Sequence, residues 1–152
     1  MIGTAQSILM PSSDLTTPPV EPSSPSIRLR FGQQPRTSVK GKQHILYGDA
    51  PGSGGHLWPG APGKTPFPQN WSANRVVHEV GDIVTAPGTK WYYQTGTGGK
   101  LTKAGDPAKW VAWETRDGVL VRVVYEPATG RVVTAFPETN PIPASILNQK
   151  VP

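Results

Sequence analysis

A chain of 152 residues, 36% of them hydrophobic, with 18 Pro, 17 Gly and no Cys, suffices for one domain with a real core and is too short for two ordinary ones. The missing cysteines exclude a disulfide framework, a thiolate metal site and a cysteine nucleophile. A formal charge of +5 eases association with a polyanion such as RNA, although a plain basic protein has the same charge; no run approaches the ~20 apolar residues of a membrane span, and the N-terminus lacks the basic-then-apolar pattern of a secretory signal.

Residues 1–40 read as a Pro/Ser-rich linker or extended arm, too poor in apolar side chains to offset the entropy of ordering. Within the arm, Ile27, Leu29 and Phe31 alternate with Arg28 and Arg30, the period of a short edge strand. The body, residues 41–140, opens on Gln43 to Tyr47, where five residues do not separate a helix turn from a strand. Gly48 to Pro68 is so dense in Gly and Pro that it predicts an ordered, tightly turned loop. A helix follows, with Ser72 as N-cap, Trp71 stapling onto Val76, an apolar stripe of Val76, Val77, Val80, Ile83 and Val84, and a stop at Pro87-Gly88.

Beyond the helix the apolar period shortens to two. Strands are expected at Lys90–Thr95, Trp110–Thr115, Val119–Tyr125 and Arg131–Phe136, joined by a long polar loop and by RDG and EPATG turns. A helix followed by an antiparallel meander of about four strands is an α+β domain with the helix on one face of the sheet. Residues 141–152 are expected as a C-terminal tail.

Two of the three histidines, His44 and His56, flank the glycine-rich segment of HILYGDAPGSGGHLWP. Two imidazoles on either side of an RNA phosphodiester serve as base and acid, one taking the ribose 2′-hydroxyl proton and the other protonating the leaving 5′ oxygen. RNA supplies its own nucleophile, so this chemistry needs no metal and no cofactor. The backbone N–H groups of Gly52, Gly54 and Gly55 are candidates to face an anion. Capping or structural hydrogen bonding by the same two histidines is the plainer reading. His78, beside the apolar stripe of the helix, is expected to be structural. Lys64 is expected as a solvated loop charge, with contact to RNA backbone as the alternative. Trp110 and Trp113, three apart on a strand, are expected to face opposite sides of the sheet.

HILYGD, then GGH followed closely by Trp-Pro-Gly, KTPFPQNW, RDGVLVRVVYEP and GRVVTAFP together resemble the bacterial EndoU nuclease family, over about Gly41 to Pro137. The resemblance implies the fold that unites barnase, EndoU, colicin nucleases and RelE-type toxins. It also implies the C-terminal toxin domain of a secreted or contact-delivered bacterial toxin, acting in the target-cell cytoplasm and cleaving RNA, often tRNA, to a 2′,3′-cyclic phosphate. The arm would then link the domain to a delivery region, and a cognate immunity protein, acidic to match the basic face, would protect the producing cell.

By the same resemblance, His56 is the general base and His44 the general acid, an order that the sequence itself leaves open. Thr134 orients the phosphate and Phe136 contacts the substrate; Gly55, from the glycine-rich loop, is the further substrate-binding candidate that the backbone N–H argument offers. Phe136 stands where many relatives carry tyrosine, so a phenol hydrogen bond is lost and ring stacking on a base or ribose is what remains. Lys109 is the nearest candidate for the lysine that EndoU enzymes outside bacteria use as a third group, with Lys100 and Lys103 as alternatives. Two competing readings stay open: an NAD-hydrolysing toxin domain, disfavoured by the absence of a dinucleotide fingerprint, and a non-enzymatic RNA-binding module.

Overall fold

A computed structural model describes residues 38–152; the strand expected around Ile27 to Phe31 lies outside the described residues. Among them, helix α1 (Val39–Leu46) comes first. Ser38 caps it by accepting a hydrogen bond from the Gly41 N–H at 3.0 Å, and Ile45 and Leu46 anchor its far end in the core. The ambiguity over Gln43 to Tyr47 is thus resolved as helix.

Helix α2 (Ala73–Thr85) matches its sequence signature closely. The Ser72 hydroxyl accepts from the Arg75 N–H at 3.1 Å, and Trp71 and Val76 are buried in the same cluster, as a hydrophobic staple requires. Val76, Val80 and Ile83 are fully buried, each contributing about 1.5–3 kcal/mol in transfer terms. At the C-terminus, Thr89 donates its hydroxyl to the Ile83 carbonyl at 2.6 Å, satisfying an acceptor that the ended helix leaves open. His78 is exposed on this helix.

Strands β1 (Tyr92–Tyr93), β2 (Trp110–Arg116), β3 (Val119–Glu126) and β4 (Arg131–Pro137) form one antiparallel sheet in the order β1-β2-β3-β4. The fold is therefore α+β. Asp117 and Gly118, at φ 50° and 79°, make the two-residue β2–β3 turn with the positive dihedrals of a type I′ hairpin. Val121 and Val123 of β3 and Val132 and Ala135 of β4 join the helical residues in the core. The alternate residues Arg122, Thr134 and Phe136 lie on the other face. Arg116 ties the sheet to α2 through Asp82 at 3.0 Å, and Arg75 reaches back to Asp117 at 2.9 Å.

Two elements depart from expectation. The strand expected over Lys90–Thr95 shrinks to two residues, because Gln94 and Thr95 both donate to the Lys109 carbonyl and the chain turns away at Gly96. The segment expected as a tail contains a short helix, α3 (Ala144–Leu147), and then runs along β1: the Tyr93 N–H donates to Gln149 at 2.8 Å and the Val151 N–H to Trp91 at 2.9 Å. It covers the sheet edge that β1 would otherwise expose.

Candidate active site

The last carbonyls of α1 have no partners within the helix and must find donors elsewhere. The returning glycine-rich loop supplies them: the N–H groups of Gly55, His56 and Leu57 donate to the carbonyls of His44, Ile45 and Leu46 at 2.9, 2.8 and 3.0 Å. This three-rung pairing docks the segment bearing His56 on the helix end bearing His44. The glycines are what permit it. Gly54, at φ 76°, lies so close to α1 that a Cβ there would collide with the His44 carbonyl.

Both imidazoles line one cleft of about 370 Å³, together with Gly52 to Gly54, Lys64, Thr134 and Phe136. The two rings are held differently. His56 is only 5% exposed, and its Nδ1 lies 2.9 Å from the Thr65 carbonyl, which accepts only; Nδ1 therefore carries the proton and Nε2 of the neutral ring has a free lone pair. Burial pushes the His56 pKa below the ordinary histidine value; the Thr65 bond opposes this, while Lys64 and His44 reinforce it. His44 is partly exposed and places Nδ1 3.2 Å from Asp49 Oδ1. Hydrogen bonds from Ser53 and then His44 lower the Asp49 pKa, so Asp49 is a carboxylate that turns Nδ1–H of His44 toward itself and leaves Nε2 for chemistry.

The lowered pKa makes stability depend on pH. Folded His56 binds a proton less readily than unfolded His56, so its contribution is fully present above the ordinary value of 6.5 and is lost as pH falls through the lowered folded pKa. Urea unfolding at pH 7.5 and 5.5 is expected to show a loss of stability on acidification that is smaller in His56→Gln; equal losses would contradict this linkage.

Several expected site residues are placed differently. Gly55 does not line the cleft; its N–H is committed to the His44 carbonyl, so it docks the loop rather than meeting an anion. The ring of Phe136 stacks on His56, with centroids 5.1 Å apart and planes at 22°, and the Arg122 guanidinium lies 5.5 Å from its centroid. The ring expected to stack on substrate thus braces His56. Lys109 stands at the start of β2, with β3 between it and β4, and its charge acts on Glu126 instead. The lysine in the cleft is Lys64. Trp110 and Trp113 are both engaged, through Gly99 and Glu138 respectively. Asp49 carries no sequence signal of its own, since a lone aspartate after glycine reads as turn chemistry.

No curated protein and no solved structure matches the chain significantly. A family model, described as bacterial EndoU nuclease, matches residues 58–139. The match takes in Thr134 and Phe136 and begins two residues after His56. Spanning more than half of the 152 residues, it shows that the chain belongs to the bacterial EndoU nuclease family.

Proposed function

We propose that this domain is an endoribonuclease that cuts RNA, tRNA among its targets, by transesterification. His56 Nε2 takes the proton of a ribose 2′-hydroxyl, and the 2′ oxygen attacks the adjacent phosphorus. The bond to the 5′ oxygen breaks as His44 Nε2–H protonates it. The products are a 2′,3′-cyclic phosphate and a 5′-hydroxyl, and both protons are handled by imidazoles without a metal. Thr134 donates to a non-bridging oxygen, and the Lys64 ammonium offsets charge that builds on the phosphorane. One observation carries this reading: two histidines on one cleft, one with Nδ1 bonded to a carbonyl, which leaves Nε2 as an acceptor, the other with Nδ1 turned to a carboxylate, which leaves its Nε2 toward the substrate.

Family membership supports the wider reading of a bacterial toxin domain on the fold that groups barnase, EndoU, colicin nucleases and RelE-type toxins. In that reading the domain is delivered to a target cell, acts in its cytoplasm and is held in check by an acidic immunity protein over the cleft. Incubation of the purified protein with total tRNA in EDTA tests the activity. Fragmentation is expected; intact tRNA with folded protein overturns the reading, and consumption of NAD without RNA cleavage replaces it with NAD hydrolysis.

Asp49 acts through His44. Asp49→Asn is expected to lower kcat by about tenfold, the low end for a hydrogen bond to a charged group, with KM little changed. A KM effect alone would contradict a positioning role.

A further inference from the structure

His44 also lines a second hollow, of about 310 Å³, together with the Asp49 carboxylate that is hydrogen-bonded to it. Lys40 of α1 and Arg131 of β4 supply its positive charge, and buried Gly41 leaves one wall without a side chain. The two cations are held in different ways. Arg131 is half exposed, and its Nη2 and Nε reach the buried Glu126 carboxylate at 3.1 and 3.3 Å, which fixes the guanidinium plane at the rim. Lys40 is exposed and forms no ion pair among the described residues.

We infer that this hollow is a phosphate subsite for the leaving strand of RNA. The inference rests on the nuclease reading above, in which His44 protonates the leaving 5′ oxygen. The nucleotide carrying that oxygen must then lie against His44, and its own 3′-phosphate continues past the shared wall toward Lys40 and Arg131. The subsite takes a phosphodiester or phosphomonoester without regard to base, because its contacts are to charge. It adds affinity for chains that extend beyond the scissile bond on the 3′ side.

The test uses two dinucleotides with a 2′-deoxy sugar at the cleavage position, which removes the nucleophile and makes them pure binding probes. One ends in a 3′-hydroxyl and the other in a 3′-phosphate. Wild-type protein is expected to bind the 3′-phosphorylated probe roughly tenfold more tightly, as one charge-assisted contact allows. That ratio is expected to fall toward one in Lys40→Gln and to be retained in His78→Ala, on the exposed face of α2. Arg131→Lys, which keeps the charge beside Glu126, is expected to retain part of the preference. A wild-type ratio of one, or a ratio unchanged in Lys40→Gln, overturns the subsite. Ribose versions of the probes separate the two claims: a 3′-phosphate preference without any cleavage shows a phosphate-binding hollow but removes the nuclease reading and with it the leaving-strand role, whereas cleavage without the preference keeps the nuclease reading and overturns the subsite.

Discussion

His56→Ala is expected to lower kcat/KM for RNA cleavage by about 10²–10⁴-fold, and His44→Ala by a similar factor. Each loss removes one half of a concerted proton transfer, so the double variant is expected to lie close to the worse single one. The pH profile separates the residues. Burial holds the His56 pKa below the ordinary histidine value of 6.5, so the acidic limb of wild-type kcat/KM is expected below that point. This limb reports the base and is expected to vanish in His56→Ala. A residual rate in either variant within tenfold of wild type would remove that histidine from the chemistry.

Gly54→Ala is expected to cost at least about 2 kcal/mol in folding stability and to reduce kcat as well. Two effects add. At φ 76° an alanine is strained whatever the space around it, and its methyl would press on the carbonyl of His44. That carbonyl already accepts from the Gly48 and Gly55 N–H groups at 3.2 and 2.9 Å, so relief of the collision breaks the pairing that docks the loop on α1. Gly52→Ala is the control. Gly52 has φ 77°, but an added methyl there would meet nothing within 4 Å, so the variant carries only the backbone strain of about 1–2 kcal/mol. Urea midpoints for the two variants check this; equal costs would mean that the contact with α1 contributes nothing.

The legible parts of the fold are those in which local chemistry and tertiary packing agree. Ser72, Trp71 and the valine stripe specify α2 because its cap, staple and buried face all lie within one short segment. The meander is equally readable from alternation and from the Asp-Gly turn. Helix α1 is not, since only Gly41, Ile45 and Leu46 of its eight residues are buried and its cap, Ser38, sits at the end of a polar arm. The C-terminal segment reads wrongly as a tail because its pairing with β1 is made by backbone groups, which carry no residue signature.

The site divides the same way. His44 and His56 stand out in the sequence as imidazoles flanking a glycine-rich turn, Thr134 enters through the resemblance of GRVVTAFP to the EndoU pattern, and all three line one cleft. The group that fixes the His56 tautomer is a backbone carbonyl, that of Thr65, and no composition argument reaches it. Gly55 reads as an anion contact because a free N–H and one bonded to a helix end look the same in a string of letters. Lys109 is favoured in the sequence only as the lysine nearest to the third group of EndoU enzymes outside bacteria, whereas the order of the sheet puts β3 between it and β4. Lys64 reaches the cleft through the path of the loop, which only tertiary structure reveals.

The division of labour between the histidines is tested most directly by cleavage of RNA in which sulfur replaces the bridging 5′ oxygen at the scissile bond. A thiolate leaves without being protonated, so this substrate needs the base but not the acid. The expected result is that His44→Ala regains nearly wild-type cleavage on the sulfur substrate, while His56→Ala stays inactive. Recovery of His56→Ala instead, or of neither variant, would contradict the assignment of His56 as base and His44 as acid.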